Sequence, residues 1–162
     1  MGESLELKLP DEAATEELGA ALAHGLAAAP GEACLIALQG ELGAGKTTLV
    51  RGLLRAAGHT GPVPSPTYTL VEPYDLATGR LYHLDLYRLA DAEELEYLGW
   101  RDMTDAVSVV EWPGRAPELV RRADLVVGLA HAGSGRRAGL RAGTPGGSAL
   151  LARIREAISN LK

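Results

Sequence analysis

Residues 40–48 read Gly40-Glu-Leu-Gly-Ala-Gly-Lys-Thr-Thr48 and fit G-x-x-x-x-G-K-[ST], with Gly40, Gly45, Lys46 and Thr47 at the fixed positions. That pattern leaves few folds open. Glycines let successive backbone N–H groups turn inward and approach phosphate oxygens closely. Lysine at position 46 reaches the β- and γ-phosphates, and the hydroxyl at 47 ligates Mg²⁺. The loop has to follow a strand and open a helix, whose N-terminal partial charge favours an anion. Both neighbours are present. Cys34-Leu-Ile-Ala-Leu38 reads as a buried strand, and residues 48–57 read as a helix stopped by Gly58.

The remaining segments read as alternating strands and helices. Residues 5–9 alternate apolar and polar, as a half-buried strand does. Asp11 reads as the N-cap of a helix that repeats Leu18, Leu22 and Leu26 on one face. The glycines and prolines of residues 58–67 predict a loop. Residues 67–74 and 80–88 predict two strands joined through the turn residues 75–79 as an antiparallel hairpin. A short helix starts at the capping-box-like Asp91-Ala-Glu-Glu94 and ends near Gly99. Strands are expected at 107–110, 124–130 and 136–142, with a helix over 117–123 and a turn at 133–135. Residues 143–147 read as a glycine-rich linker into an amphipathic helix over 149–161. The expectation is an α/β fold of the P-loop NTPase three-layer type: a mainly parallel sheet with antiparallel edge hairpins, in one domain over 1–162.

The chain has 162 residues, close to the least that holds a phosphate-loop sheet, so little is left for a separate substrate domain. A formal net charge of −5 argues against free-standing nucleic-acid binding. No stretch is long and apolar enough to span a membrane. The start has neither a basic segment nor a signal-like apolar run. Glu6 stands where a myristoylation signal needs Ser or Thr. The single cysteine, Cys34, cannot form an internal disulfide. These features predict a cytoplasmic protein with no membrane contact.

Hydrolysis needs more than a phosphate loop: a carboxylate near the metal, and a group that orients water or senses the γ-phosphate. Glu111 follows the apolar strand 107–110, where a metal-side acid belongs, although Asp is the usual residue there. Asp85 in Leu81-Tyr-His-Leu-Asp-Leu is the competing carboxylate. Ser65-Pro-Thr67 is the candidate switch, its hydroxyl contacting Mg²⁺ or the γ-phosphate before hydrolysis. His83 shares a strand face with Asp85, but a histidine so placed is more often a satisfied core or surface residue than a base. Trp112 reads either as a stacking group near the nucleotide or as a packing corner. Arg136 and Arg137 read either as an internal arginine finger or as a solvated turn. No N-K-x-D guanine reader follows the loop, which favours ATP over GTP.

Together, Gly40-Glu-Leu-Gly-Ala-Gly-Lys-Thr-Thr48, Ser65-Pro-Thr-Tyr-Thr-Leu-Val-Glu72, His83-Leu-Asp-Leu-Tyr-Arg-Leu89, Glu93-Glu-Leu-Glu96 and Glu111-Trp-Pro113 resemble the bacterial TsaE family, formerly YjeE. The S-P-T-Y-T and H-x-D-L-Y-R blocks carry the specificity of that match. The resemblance implies a small ATPase needed for the threonylcarbamoyl modification of adenosine beside the anticodon in tRNA. It implies TsaD, which transfers the group, and TsaB as partners, with tRNA reached indirectly through that complex. It further implies that Gly43, Ala44, Gly45, Lys46, Thr47 and Thr48 hold the phosphates of ATP, and that Thr47 and Glu111 serve Mg²⁺. Asp85 would be the catalytic or metal-side acid, Thr67 the switch hydroxyl and Arg136 a nucleotide contact. Glu12 and Thr15 would lie near the base. A small-metabolite kinase and a nucleotide-gated binding module without turnover are the competing readings.

Overall fold

The apolar run over residues 34–38 becomes the centre of the sheet. In the computed structural model, which describes residues 3–41, 43–66, 69–91, 93–103 and 105–160, it forms the strand Cys34–Gln39. In chain order the elements are β1 (Ser4–Leu9), α1 (Glu12–Ala27), β2 (Cys34–Gln39), α2 (Lys46–Ala56), β3 (Val71–Leu76), β4 (Gly79–Asp85) and α3 (Glu94–Leu98). After these come β5 (Val107–Glu111), α4 (Pro117–Arg122), β6 (Leu125–Ala132), β7 (Gly135–Ala142) and α5 (Pro145–Asn160). Short 3₁₀ turns stand at Trp100–Met103 and Pro113–Arg115.

The described residues build a seven-stranded sheet in the order β1-β7-β6-β2-β5-β4-β3. The inner strands β6, β2, β5 and β4 run parallel. Antiparallel pairs close both ends, β3 on β4 at one side, and β7 on β6 with β1 on β7 at the other. The expected architecture, mainly parallel with antiparallel edge hairpins, is what forms. A central parallel strand is covered on both faces, so both of its side-chain sets need to be apolar. Ile36, Ala37 and Leu38 accordingly have no exposed surface.

Alternation along each strand sorts the core into two layers. Val109 belongs with Ile36 and Leu38 under Leu18 and Leu22 of α1, Leu49 and Leu53 of α2, and Ile154 of α5. The next residue, Val110, faces the other way with Leu84, Leu95 of α3 and Leu119 of α4. Each fully buried leucine contributes about 1.5–3 kcal/mol by leaving water. Helices α1 and α2 pack so closely that Gly52 lies against the backbone of Glu16. Among the described residues no helix is long and apolar enough to cross a membrane.

Three boundaries differ from expectation, each for a local reason. The strand expected over 80–88 ends at Asp85, because the Tyr87 N–H donates to Asp85 Oδ1 at 2.9 Å and the chain turns. The strand expected from residue 67 begins at Val71, since Leu70 is held at φ +67°; residues 67 and 68 lie outside the described set. Residues 143–147 are not a linker. Pro145 opens α5, and Thr144 Oγ1 caps it by accepting the Gly147 N–H at 3.0 Å.

Candidate functional site

The phosphate loop leaves the carboxyl end of β2 and enters α2. Gly40 is needed because a Cβ there would stand 2.6 Å from the Leu129 carbonyl oxygen. Gly45 is the N-cap of α2 at φ +105° and offers no side chain to its first N–H groups. Those amides therefore face outward at the positive end of the helix, which is the arrangement an anion requires.

Lys46, the first residue of α2, is only 5% exposed. Its ammonium donates to the Gly40 carbonyl at 2.6 Å and lies 3.5 Å from the centre of the Trp112 ring. Burial pushes its pKa down, and the charges of Glu111 and Asp85 oppose that shift. Both carboxylates stand at the carboxyl ends of their strands, where Asp85 of β4 and Glu111 of β5 are register partners. Both are buried, at 4% and 3% exposed. His83 is wholly buried behind them, with Nε2 2.5 Å from Glu111 Oε2.

Trp112 is aimed by an unusual backbone. It sits at φ +56° between β5 and the 3₁₀ turn Pro113–Arg115. A bulky residue rarely takes that conformation, and such strain persists where the surroundings enforce it. Its ring packs on Tyr87 at 4.9 Å between centroids as well as on Lys46.

On the far side of the loop a cleft of about 320 Å³ is lined by Glu12, Thr15, Gly45, Thr48 and Arg136. Asp11 caps α1 by accepting the Ala14 N–H at 2.8 Å, which fixes the helix start at the cleft. Glu12 pairs with Arg51 at 3.5 Å. Arg136 reaches in from β7 and donates to the Gly43 carbonyl at 2.9 Å.

Residues 9–138 match the family model described as threonylcarbamoyl adenosine biosynthesis protein TsaE. The chain belongs to the TsaE family. It is 47% identical over 130 residues to the tRNA threonylcarbamoyladenosine biosynthesis protein TsaE of Haemophilus influenzae, covering 78% of this chain and 82% of that protein. The Synechocystis protein of the same name is 47% identical over 122 residues, covering 72% and 74%. Among solved structures, Bacillus subtilis YdiB superposes with a TM-score of 0.79 at 27% identity, covering 96% of this chain and 97% of that one. The family acts in tRNA threonylcarbamoyladenosine biosynthesis.

On this TsaE scaffold the residues singled out in the sequence converge around the loop. Gly43, Ala44, Gly45, Lys46, Thr47 and Thr48 form the loop and the first turn of α2. Asp85, Glu111 and Trp112 stand on the Lys46 side, and Glu12, Thr15 and Arg136 on the cleft side. Thr67 lies outside the described residues. Arg136 and Arg137 part company, because consecutive residues of a strand face opposite ways; Arg137 is exposed. The sequence reading discounted His83. Its pairing with Glu111 depends on the register of β4 against β5, which a single sequence does not display.

The donor set suits Mg²⁺. Asp85, Glu111 and the Thr47 hydroxyl offer hard oxygen atoms at one end of the sheet. Among the described residues no cluster of three His, Cys, Asp or Glu could hold a metal by itself. Mg²⁺ is ordinarily held by one or two carboxylates together with substrate phosphates, and Asp85 and Glu111 are two carboxylates side by side in register.

Proposed function

We propose that the chain is a Mg²⁺-dependent ATPase acting in tRNA threonylcarbamoyladenosine formation, in which ATP turnover changes its shape against a TsaD–TsaB complex. The observation that carries this is Lys46: a lysine buried at the head of α2, between its own loop and the two carboxylates Asp85 and Glu111. A buried ammonium costs free energy unless it is paired, and such sites are where chemistry concentrates.

The loop amides and Lys46 bind the triphosphate, the ammonium exchanging the Gly40 carbonyl for phosphate oxygens. Thr48 adds a hydroxyl in the first turn of α2. Thr47 and Glu111, with Asp85, would hold Mg²⁺, which would supply charge that neutralises the phosphates. Asp85 also orients the attacking water. Thr67 senses the γ-phosphate, and its segment has a direct link to that acid: the Asp85 N–H donates to the Leu70 carbonyl at 3.0 Å. Loss of the γ-phosphate would then release the Ser65-Pro-Thr67 switch and change the surface presented to the partner. Trp112 covers Lys46, while Glu12, Thr15 and Arg136 hold the base and ribose side.

This reading takes residues 1–162 as one P-loop ATPase domain working in the cytoplasm, with tRNA met through the complex. The kinase alternative needs a mobile arginine-bearing lid. Its candidate, residues 136–141, is strand β7, paired to β1 on one side and β6 on the other.

Lys46→Ala and Asp85→Ala test the proposal through ATP hydrolysis and through co-purification with TsaD and TsaB, with and without ATP. Each substitution is expected to lower the hydrolysis rate at least about 100-fold, the scale of a lost charge-stabilising group. Asp85→Ala keeps ATP binding. Wild-type hydrolysis in both variants sinks the mechanism. Full partner function with no turnover would favour a nucleotide-gated binding module, and phosphate transfer to a nucleoside or small alcohol a kinase.

A further inference from the structure

We propose that His83 is a positioning residue for Glu111, holding the metal-side carboxylate in one orientation through its Nε2–H; the inference rests on the ATPase reading above. The imidazole has no exposed surface, and the Glu111 side chain is 4% exposed. Nε2 lies 2.5 Å from Glu111 Oε2. A carboxylate oxygen accepts hydrogen bonds, so Nε2–H is the donor in this contact. Nδ1 is then a buried nitrogen, and it has no hydrogen-bond partner among the described residues.

That orphaned nitrogen is informative. A leucine would fill the same space and leave no buried polar atom unsatisfied. What the histidine adds is the bond to Glu111. Its direction follows from register. His83 lies two residues before Asp85 on the same face of β4, and Asp85 is opposite Glu111. The ring therefore lies on the same face of the sheet as the Glu111 side chain and engages its Oε2. A glutamate without such a clamp spreads over several rotamers, and partners that orient a ligand commonly change metal affinity about 10–100-fold.

The test reads Mg²⁺ rather than turnover. A fluorescent ADP analogue is titrated in EDTA and at increasing free Mg²⁺, together with the thermal midpoint. Wild type, Glu111→Gln, His83→Phe, His83→Asn and His83→Gln are compared. The Gln amide reaches about as far as Nε2, whereas Asn stops one bond short. His83→Phe and His83→Asn are expected to raise the half-saturating Mg²⁺ about 10–100-fold, with metal-free affinity held within about twofold and Gln recovering most of the loss. If His83→Phe does not fold, the Asn–Gln contrast decides. An unchanged Mg²⁺ midpoint in the His83 variants, with Glu111→Gln shifted, overturns the role of His83 and leaves the ATPase reading standing. Parallel loss of metal-free affinity and thermal stability in all three, Gln included, makes His83 a packing residue only and also overturns it. Identical midpoints in wild type and Glu111→Gln remove the metal role of Glu111, and the positioning role falls with it; ATP hydrolysis is judged separately by Lys46→Ala.

Discussion

The Arg136 guanidinium donates to the Gly43 carbonyl at 2.9 Å, tying β7 to the phosphate loop across the cleft. A second N–H of the same group goes to the Gly135 carbonyl, also at 2.9 Å. The side chain is thus held over the loop, while its neighbour Arg137 is exposed on the other face of the strand.

Arg136→Ala is therefore expected to weaken ADP binding about 10–100-fold, the worth of a hydrogen bond to a charged group, whereas Arg137→Ala changes it by less than about twofold. Titration calorimetry on both variants checks this. Equal losses would mean that overall charge, and not the cleft contact, governs binding.

Trp112 combines a ring that covers Lys46 with a backbone at φ +56°. Trp112→Ala and Trp112→Gly remove the same ring, but only glycine takes that backbone without strain. The Gly variant should unfold at higher urea than the Ala variant, by about 1 kcal/mol. Both should bind nucleotide more weakly than wild type. A less stable Gly variant would show that the left-handed turn is not under strain.

Gly52 on α2 lies against the Glu16 backbone of α1, so a methyl group there overlaps backbone rather than a yielding side chain. Gly52→Ala improves helix propensity yet should destabilise the fold by about 1–3 kcal/mol, because the two helices have to separate. Urea denaturation measures this. A neutral or stabilising result would show that the helices can part without loss.

Cys34 is half-buried in β2, and burial, with Asp124 next in effect, pushes its thiol pKa from its ordinary 9.0 up to about 12. The folded thiol keeps its proton where the unfolded one has lost it. Stability is therefore unaffected by this group below about pH 9 and falls as pH rises from about 9 toward 12, since the unfolded state binds fewer protons. A thiol reagent at pH 8 should label the native protein far more slowly than the unfolded chain. Equal labelling rates would show the thiolate to be accessible.

Local patterns carried much of the architecture. The strand–loop–helix at residues 34–57 was legible because each part has its own signature: an apolar run, glycines at fixed offsets and an apolar face at helical spacing. The start of α5 is hidden in the sequence because Gly146 and Gly147 look like a linker. In the fold Thr144 caps the helix and donates to Asp124 Oδ1 at 2.7 Å, and Gly147 passes tight against the Asp124 backbone. Asp124 lies in another segment, so no window around residue 147 contains the reason. The end of β4 was hidden in the same way, by a side chain that captures the backbone two residues on.

By itself the sequence determined that a phosphate loop joins a buried strand to a helix, and which residues were candidates to surround it. Those properties depend on spacing along the chain, and spacing is written in the sequence. Tertiary structure alone decided which candidates meet. The parallel register of β4 on β5 sets Asp85 beside Glu111 and His83 behind it, and the path of β7 carries Arg136 to Gly43 while turning Arg137 away. Pairing between distant strands fixes those distances, and one residue of slippage would reverse every side chain in the strand.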